Sequence, residues 1–174
     1  MNFIIEILKI SASGILVLIM AHLVLERIFK NEERKRYAEM KKEAAKALNP
    51  VRLTAYERLA LLLERLNPES LVVRVQTPGM SAAMLHLALI TTIREEFDHN
   101  VTQQIYVSNN VWLMVRGAKE NLLQFVNTIA SQLPDDIPAV ELGKIIIEKY
   151  NETENATPIQ AALEGLKQEV RGFQ

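Results

Sequence analysis

Glu96 and His99 are the residues of this sequence whose types and spacing come closest to doing chemistry. They lie three positions apart in the stretch REEFDHN, and Glu95 lies four positions before His99. Residues three or four apart share one face of a helix, so a carboxylate and an imidazole here could bind one metal ion. The alternative is the polar end of a helix, with His99 near its C-terminus and Asn100 just beyond it.

A metal site needs more ligands than this pair supplies. A di-iron site in a helical bundle uses two E-x-x-H pairs, and a mononuclear triad needs two histidines and a carboxylate. The other histidines are His22 and His86, and Ala83 lies three before His86, so no second pair exists. His86 and His99 are about half a turn out of phase on one helix. We expect the helix end, with no metal and no cofactor; a metal-dependent or regulatory enzyme using Glu96 and His99 is the alternative.

The composition excludes several other kinds of chemistry. Of the 174 residues, 49% are hydrophobic and 24% charged, with a net charge of −1, which suits a globular domain and does not favour nucleic-acid binding. There is no cysteine, so disulfides, thiolate metal sites and a cysteine nucleophile are absent. No phosphate-binding glycine motif and no nucleophile elbow occur. We therefore expect a protein that is not an enzyme.

Residues 1 to 28 predict a transmembrane anchor that contacts the bilayer through residues 3 to 28. From Ile10 to Leu25 the sequence has no formally charged residue, and apolar residues before it extend the run toward the ~20 residues of a membrane span. An amphipathic core helix is the alternative, but the segment is apolar on nearly all faces. Ser11 and Gly14 would let a partner helix approach closely, and we predict both as contact residues.

Basic residues predict the orientation of this anchor. Lys9 is the only basic residue in the segment before Arg27, whereas several follow it closely: Lys30, Arg34, Lys35 and Arg36. Basic residues favour the cytoplasmic side of a membrane helix. We therefore expect a single-pass protein whose C-terminal domain is cytoplasmic.

Residues 29 to 50 predict a charged helical stalk, because they are rich in Glu, Lys, Arg and Ala. Steps of three, four and three residues give a narrow apolar stripe, here named the stalk seam, which consists of Tyr37, Met40, Ala44 and Ala47. A short coiled coil would use this stripe, but we favour a solvated helix that rests one face on its own domain. Tyr37 and Met40 are predicted contact residues.

Two further features of the stalk lead to predictions. The basic triplet Arg34, Lys35 and Arg36 could bind anionic lipid heads, which makes a lipid-surface module a further alternative for the function. Asn49 and Pro50 are expected to end the helix, since proline cannot donate its backbone hydrogen bond.

Residues 51 to 174 predict a small helical domain. Apolar residues recur at helical spacing through most of this range, and each apolar stripe requires another helix to cover it. Polar residues at the expected helix starts predict N-caps; these are Thr54, Asn67, Ser108 and Thr157. Residues 71 to 75 and 103 to 108 are short and apolar enough for either helices or a minimal two-stranded β element. The predicted fold class is mainly α, with that β element left open.

The polar stretch DHNVTQQIYVSNN is rich in amide side chains that alternate with apolar ones. It suits a buried polar loop better than a partner surface, but both interpretations stay open. We predict Gln103, Gln104 and Tyr106 as contact residues on the second interpretation. Trp112 joins them, because tryptophan is enriched in interface hot spots.

Two stretches carry a resemblance to a known family. They are LTAYERLALLLERLNPESLVVRV, and IREEFDHNVTQQIYVS followed by Trp112 and AKE. Over residues 45 to 135 the chain resembles an uncharacterised family of small single-pass membrane-anchored proteins from Bacteroidetes bacteria. The resemblance implies a bacterial inner membrane and a single cytoplasmic domain, and it implies no activity, cofactor or catalytic residue.

Together these features predict a membrane-anchored accessory or scaffold protein. Its cytoplasmic helical domain is expected to contact a protein partner or a second copy, as a subunit of a larger inner-membrane complex.

Overall fold

The structure is a computed structural model that describes residues 2–134, 136–152 and 156–172. Within the first helix, the side chains of residues 2, 4–13, 15–17 and 45 lie outside the described part. The chain divides into two compact units, Met1–Asn49 and Pro50–Gln174. The helices are α1 (Asn2–Leu66), α2 (Pro68–Val75), α3 (Ala82–Asp98), a 3-10 helix (Val101–Ile105), α4 (Asn109–Ala130), α5 (Ala139–Asn151) and α6 (Pro158–Arg171).

The prediction of a mainly helical fold is confirmed, and the two-stranded element that the sequence left open does not form: the described residues contain no strand. Residues 71 to 75 belong to α2, because the Asn67 side chain caps this helix by accepting from the Glu69 amide, and Pro68 occupies its first turn. Residues 103 to 105 close the 3-10 helix, and the Tyr106 amide donates to the Gln103 carbonyl at 3.0 Å. The cap of α2 and the backbone hydrogen bonds of the 3-10 helix thus outweigh the strand propensity of the two segments.

Helix α1 includes Pro50, so the prediction that Asn49 and Pro50 end the stalk helix is wrong. The predicted cap at Thr54 is wrong for the same reason: the Thr54 hydroxyl lies inside the helix and donates to the Pro50 carbonyl at 3.1 Å. Proline costs the helix one hydrogen bond, but residues 46 to 50 are exposed, so water can bind the carbonyl that loses its partner. Strong helix formers on both sides sustain the helix.

The predicted caps at Ser108 and Thr157 are confirmed. The Ser108 hydroxyl accepts from the Val111 amide at 3.2 Å, and Ser81, for which the sequence predicts no cap, accepts from the Met84 amide at 3.3 Å. Thr157 and Gln160 form a reciprocal capping box at the start of α6. These caps satisfy amides that have no partner inside their own helix, and they fix where α3, α4 and α6 begin.

The second unit contains the hydrophobic core. The C-terminal part of α1 contributes leucines that are almost fully buried, and they join one cluster with residues of the following helices. Helix α4 packs against α3 and α6, and α5 packs against α2 and α3. The largest fully buried side chains are Leu59, Leu62, Leu63, Leu66, Leu71, Leu85, Leu89, Ile93, Val115, Leu122, Leu142 and Ile146.

Two backbone contacts set the start of α5. The Ala82 amide donates to the Ile137 carbonyl at 2.8 Å, and the Ala139 amide donates to the Met80 carbonyl at 3.0 Å. Helix α5 then passes so close to α2 that a Cβ at Gly143 would lie 2.7 Å from Val72 Cγ1 and 2.8 Å from Gln76 Oε1. A larger residue at Gly143 would therefore force these helices apart.

The first unit is the part of α1 up to Asn49, and its described side chains are exposed. Large apolar side chains, each at least 50% exposed, follow one another along it: Leu18, Ile19, Met20, Leu23, Val24, Leu25, Ile28 and Phe29. Across the described residues, no helix reaches the length and apolar character required to cross a bilayer. Much of the predicted anchor, namely the side chains of residues 4–13 and 15–17, lies outside the described residues.

Candidate functional site

Glu96 lies at a junction of three helices. Its Oε1 accepts from Arg65 Nε of α1 at 2.9 Å, from Arg65 Nη2, and from Arg74 Nη2 of α2 at 3.2 Å. The Glu96 side chain is only 17% exposed, whereas that of Arg65 is 44% exposed. This carboxylate from α3 therefore joins α1 and α2 through charge-assisted hydrogen bonds from two guanidinium groups to one of its oxygens.

The surroundings of Glu96 are cationic. Hydrogen bonds from Arg65 lower the pKa of the Glu96 carboxyl; burial opposes them, and the charges of Arg74 and His99 lower it further. A metal ion at this carboxylate would have to displace or tolerate these cations. Among the described residues, no group of three or more histidine, aspartate and glutamate side chains could hold a metal ion. The E-x-x-H spacing thus has a structural explanation in the helix junction.

The prediction that His99 ends a helix is confirmed. His99 is the C-cap of α3, and its amide donates to the Glu95 carbonyl at 3.0 Å. Asn100 is buried and completes this end: its Nδ2 donates to the Glu96 carbonyl at 2.9 Å, and its Oδ1 accepts from Arg58 Nε at 3.3 Å. Arg58 Nη2 also donates to the His99 carbonyl at 3.1 Å. Arg58 therefore ties the end of α3 to α1.

Glu169 of α6 forms a second polar junction. Its carboxylate accepts from the Ser108 amide at 2.8 Å, from the Ser108 hydroxyl and from the Tyr56 hydroxyl. Arg52 Nη2 lies 3.8 Å from the same carboxylate, and Arg52 Nε donates to the Tyr106 carbonyl at 3.1 Å. The junction holds α1, the start of α4 and α6 together at one carboxylate.

The ionisation states of this junction are set by its geometry. Burial raises the pKa of the Glu169 carboxyl, but hydrogen bonds from Ser108 and Tyr56 and the charge of Arg52 outweigh it and leave that pKa below its usual value. Burial, followed by the hydrogen bond to Glu169, raises the pKa of Tyr56 from 10.0 to about 12. The junction is therefore an anionic carboxylate bound to a neutral phenol at physiological pH.

The predicted contact residues of the polar stretch have different surroundings. Gln103 is buried, and its Nε2 donates to the Thr102 hydroxyl at 3.1 Å, whereas Gln104 is exposed and its Nε2 donates to the Val101 carbonyl at 2.9 Å. Tyr106 is half-buried, and its carbonyl binds Arg52. The stretch therefore crosses the surface with one side turned to its own domain.

Trp112 packs inside the domain. Its side chain is 8% exposed, and its ring centroid lies 5.3 Å from that of Phe97. The Lys119 ammonium lies 4.7 Å from the centroid of the same Phe97 ring, in cation–π geometry. Trp112 therefore contributes to the core and does not present a face at the described surface.

The predicted contact residues of the first unit are exposed where the structure describes them. Tyr37 and Met40 are 67% and 61% exposed, and Gly14 is exposed with no described atom within 4 Å of an added Cβ. The Ser11 side chain lies outside the described residues. Arg34, Lys35 and Arg36 are exposed.

Two concave sites of the second unit have no counterpart among the sequence predictions. A cleft of about 200 Å³ lies between α3 and α4, where His86 Nε2 is 2.7 Å from Asn127 Oδ1. A shallow groove of about 310 Å³ lies between α1 and α6. Apolar side chains dominate its lining, which includes Leu53, Tyr56, Ala60, Leu166 and Val170.

These observations define a helical protein with polar junctions inside its second unit and an exposed apolar and charged helix in its first. The chain belongs to the family of unknown function DUF7935, whose model matches residues 2–173. No curated protein matches the chain, and no solved structure matches it either.

Proposed function

We propose that this protein is a membrane-anchored accessory or scaffold protein of a bacterial inner membrane, whose cytoplasmic helical domain contacts a protein partner within a larger complex. The carrying observation is the run of exposed apolar side chains from Leu18 to Leu25, which only His22 interrupts. Successive residues of a helix differ by about 100°, so Leu18, Ile19 and Met20 alone point in three directions. A helix that is apolar on all sides suits hydrocarbon better than a one-sided protein groove.

The charges that follow this run support the orientation of the proposal. Arg27, Lys30 and Arg34 are exposed on the same helix, directly after the apolar run. Such residues favour the cytoplasmic face, which would place residues 51 to 174 in the cytoplasm. The polar junctions at Glu96 and Glu169 hold the helices of the domain together.

Membrane flotation and alkaline extraction of the full-length protein test the anchor. Lysines in place of Leu18 and Leu23 should release the protein, since each lysine costs on the order of 3 kcal/mol at the centre of a membrane helix. The matched control carries lysines in place of Tyr37 and Met40, which are equally exposed but lie beyond the proposed span. Release of both variants, or of neither, would contradict the anchor.

Purification of the untagged complex from native membranes in a mild detergent tests the accessory role. We expect a defined protein partner at a fixed stoichiometry, which native mass spectrometry would measure. Recovery of the chain as a monomer would contradict the proposed role, even if the anchor were established.

A further inference from the structure

The basic residues that follow the apolar run differ in whether their own helix can neutralise them. Side chains three or four residues apart are neighbours on a helix, so a glutamate at that spacing can pair with a basic residue. Lys30 Nζ lies 2.7 Å from Glu26, and Arg36 Nη2 lies 3.7 Å from Glu32. These cations therefore have a counterion on α1 itself. A glutamate also lies three or four residues away from each of Lys35, Lys42 and Lys46.

Arg27, Arg34 and Lys41 have no such counterion. No aspartate or glutamate lies three or four residues before or after any of them. All of them are exposed, and none forms an ion pair within the described part of the chain. Glu33 is adjacent to Arg34 in the sequence, but adjacent residues point about 100° apart around a helix. These cations are therefore free to bind an anion of another molecule.

Distance from Leu25, the last residue of the apolar run, separates these unpaired cations. Arg27 lies about 3 Å beyond it along α1, Arg34 about 13.5 Å and Lys41 about 24 Å. A layer of lipid headgroups is about 5–7 Å thick, and charges in physiological salt are screened over about 8 Å. With Leu25 at the edge of the hydrocarbon, Arg27 lies in the headgroup layer and Arg34 within about one screening length of it. Lys41 lies beyond the reach of the headgroup charges.

We propose that Arg27 and Arg34 bind the headgroups of anionic phospholipids at the membrane surface. A guanidinium group donates paired hydrogen bonds to phosphate oxygens, and an anionic leaflet attracts basic residues beside a membrane helix. The site rests on the proposed anchor, which brings both arginines to that surface. Of the basic triplet, only Arg34 belongs to the site, because Lys35 and Arg36 have glutamates beside them.

The missing counterions select the class of lipid. A zwitterionic headgroup such as phosphatidylcholine carries a cation beside its phosphate, and that cation repels a nearby arginine. Phosphatidylglycerol carries the same phosphate without the cation. Arginines that lack a counterion therefore favour phosphatidylglycerol over phosphatidylcholine. Free phosphate has the charge but lacks the acyl chains that hold a headgroup beside a membrane helix.

Native mass spectrometry of the full-length protein in detergent measures the site directly. Phosphatidylglycerol and phosphatidylcholine are titrated separately, and the first lipid adduct gives an apparent Kd for each. We expect phosphatidylglycerol to bind more tightly, by about fivefold for each arginine. Equal affinities would overturn the lipid site. Displacement of phosphatidylglycerol by inorganic phosphate, but not by chloride at the same ionic strength, would assign the arginines to a soluble anion and overturn it too.

Matched variants test which cations form the site. Arg27→Gln and Arg34→Gln should each raise the apparent Kd for phosphatidylglycerol about fivefold. Arg36→Gln removes the same charge two residues after Arg34, but from a side chain that is paired with Glu32. Lys41→Gln removes an unpaired charge that lies out of reach. Both controls should leave the Kd unchanged, and a rise in either that equals the rise in Arg34→Gln would overturn the site.

Flotation of the same protein with vesicles of each lipid separates this result from the proposed anchor. A protein that floats with both kinds of vesicle but binds both lipids with equal Kd overturns the lipid site and leaves the anchor. A protein that floats only with phosphatidylglycerol vesicles, and is released from them by high salt, overturns the anchor and leaves the lipid site.

Discussion

Leu23 and Leu59 are identical side chains in the same helix, and their surroundings are opposite. Leu23 is 50% exposed in the first unit, whereas Leu59 is 0% exposed in the core of the second. The second unit buries its apolar side chains with its own helices and binds its buried carboxylates with its own arginines, tyrosine and serine. In the first unit, the described apolar side chains and the described carboxylates are all exposed.

The two units therefore differ in the interactions that stabilise them. The second unit is stabilised by burial and by hydrogen bonds that its own sequence supplies. The first unit has helix propensity and exposed ion pairs, such as Lys30 with Glu26 at 2.7 Å, which contribute little. We therefore expect substitutions in the second unit to act on its folding and those in the first to act on binding to membrane or to another chain.

Truncating Leu59 and Leu23 to alanine should give the largest difference in the free energy of unfolding. Leu59→Ala should lower the free energy of unfolding by about 3 kcal/mol, because it leaves a cavity in a packed core. Leu23→Ala should leave it unchanged. Urea titration of the full-length protein in detergent measures both, with the fluorescence of Trp112, the one tryptophan of the chain, as a probe of the second unit. Equal losses in the two variants would contradict the comparison.

A smaller difference in the free energy of unfolding is expected when Gly143 and Gly117 are each changed to alanine. Gly143→Ala should destabilise the second unit by about 2 kcal/mol, because the new methyl group overlaps Val72 and Gln76. Gly117→Ala should stabilise it by about 0.5–1 kcal/mol, since Gly117 lies inside α4 with no described atom within 4 Å of the added Cβ. The same urea titration measures both variants. A stabilising Gly143→Ala would mean that α2 and α5 are not closely packed.

The smallest difference in the free energy of unfolding is expected at alkaline pH, between variants at Tyr56 and Tyr37. The pKa of Tyr56 is raised to about 12 in the fold, so its stabilising effect is fully present below pH 10 and is lost as the pH rises through about 12. At pH 11 the wild type should have lost about 1 kcal/mol through this group relative to pH 8. The Tyr56→Phe variant should not show this alkaline loss of stability, because it lacks the hydroxyl that titrates. The Tyr37→Phe variant should still show it, because Tyr37 is exposed and Tyr56 is intact.

Unfolding titrations at pH 8 and pH 11 measure this difference between the two variants. An identical alkaline loss in the wild type and in Tyr56→Phe would show that the Tyr56 hydroxyl is not held by the Glu169 junction.

The sequence predicts the fold best where the signal is local. Asn67, Ser108 and Thr157 are correctly predicted caps, because a cap depends only on residues within one turn. Pro50 is wrongly predicted to end a helix, because the flanking helix formers and an exposed carbonyl outweigh the lost hydrogen bond.

The polar junctions could not be predicted from spacing. Tyr56 and Glu169 are 113 residues apart, and Arg65 and Glu96 are 31 apart, so no local pattern links them. Glu96 and His99 form a recognisable E-x-x-H motif, whereas Glu169, the carboxylate with the larger set of partners, belongs to no motif. Both contacts depend on the tertiary arrangement of the helices, which the spacing of residues along the sequence does not give.

The position of Glu169 has a consequence for how the protein is made. This carboxylate belongs to α6, and it binds Tyr56, which lies 113 residues earlier in α1. During synthesis the N-terminal segment leaves the ribosome before α6 does. The contact between Tyr56 and Glu169 can therefore form only after α6 has been made. Until then, the apolar faces that α6 covers stay exposed to the ribosome surface and to chaperones.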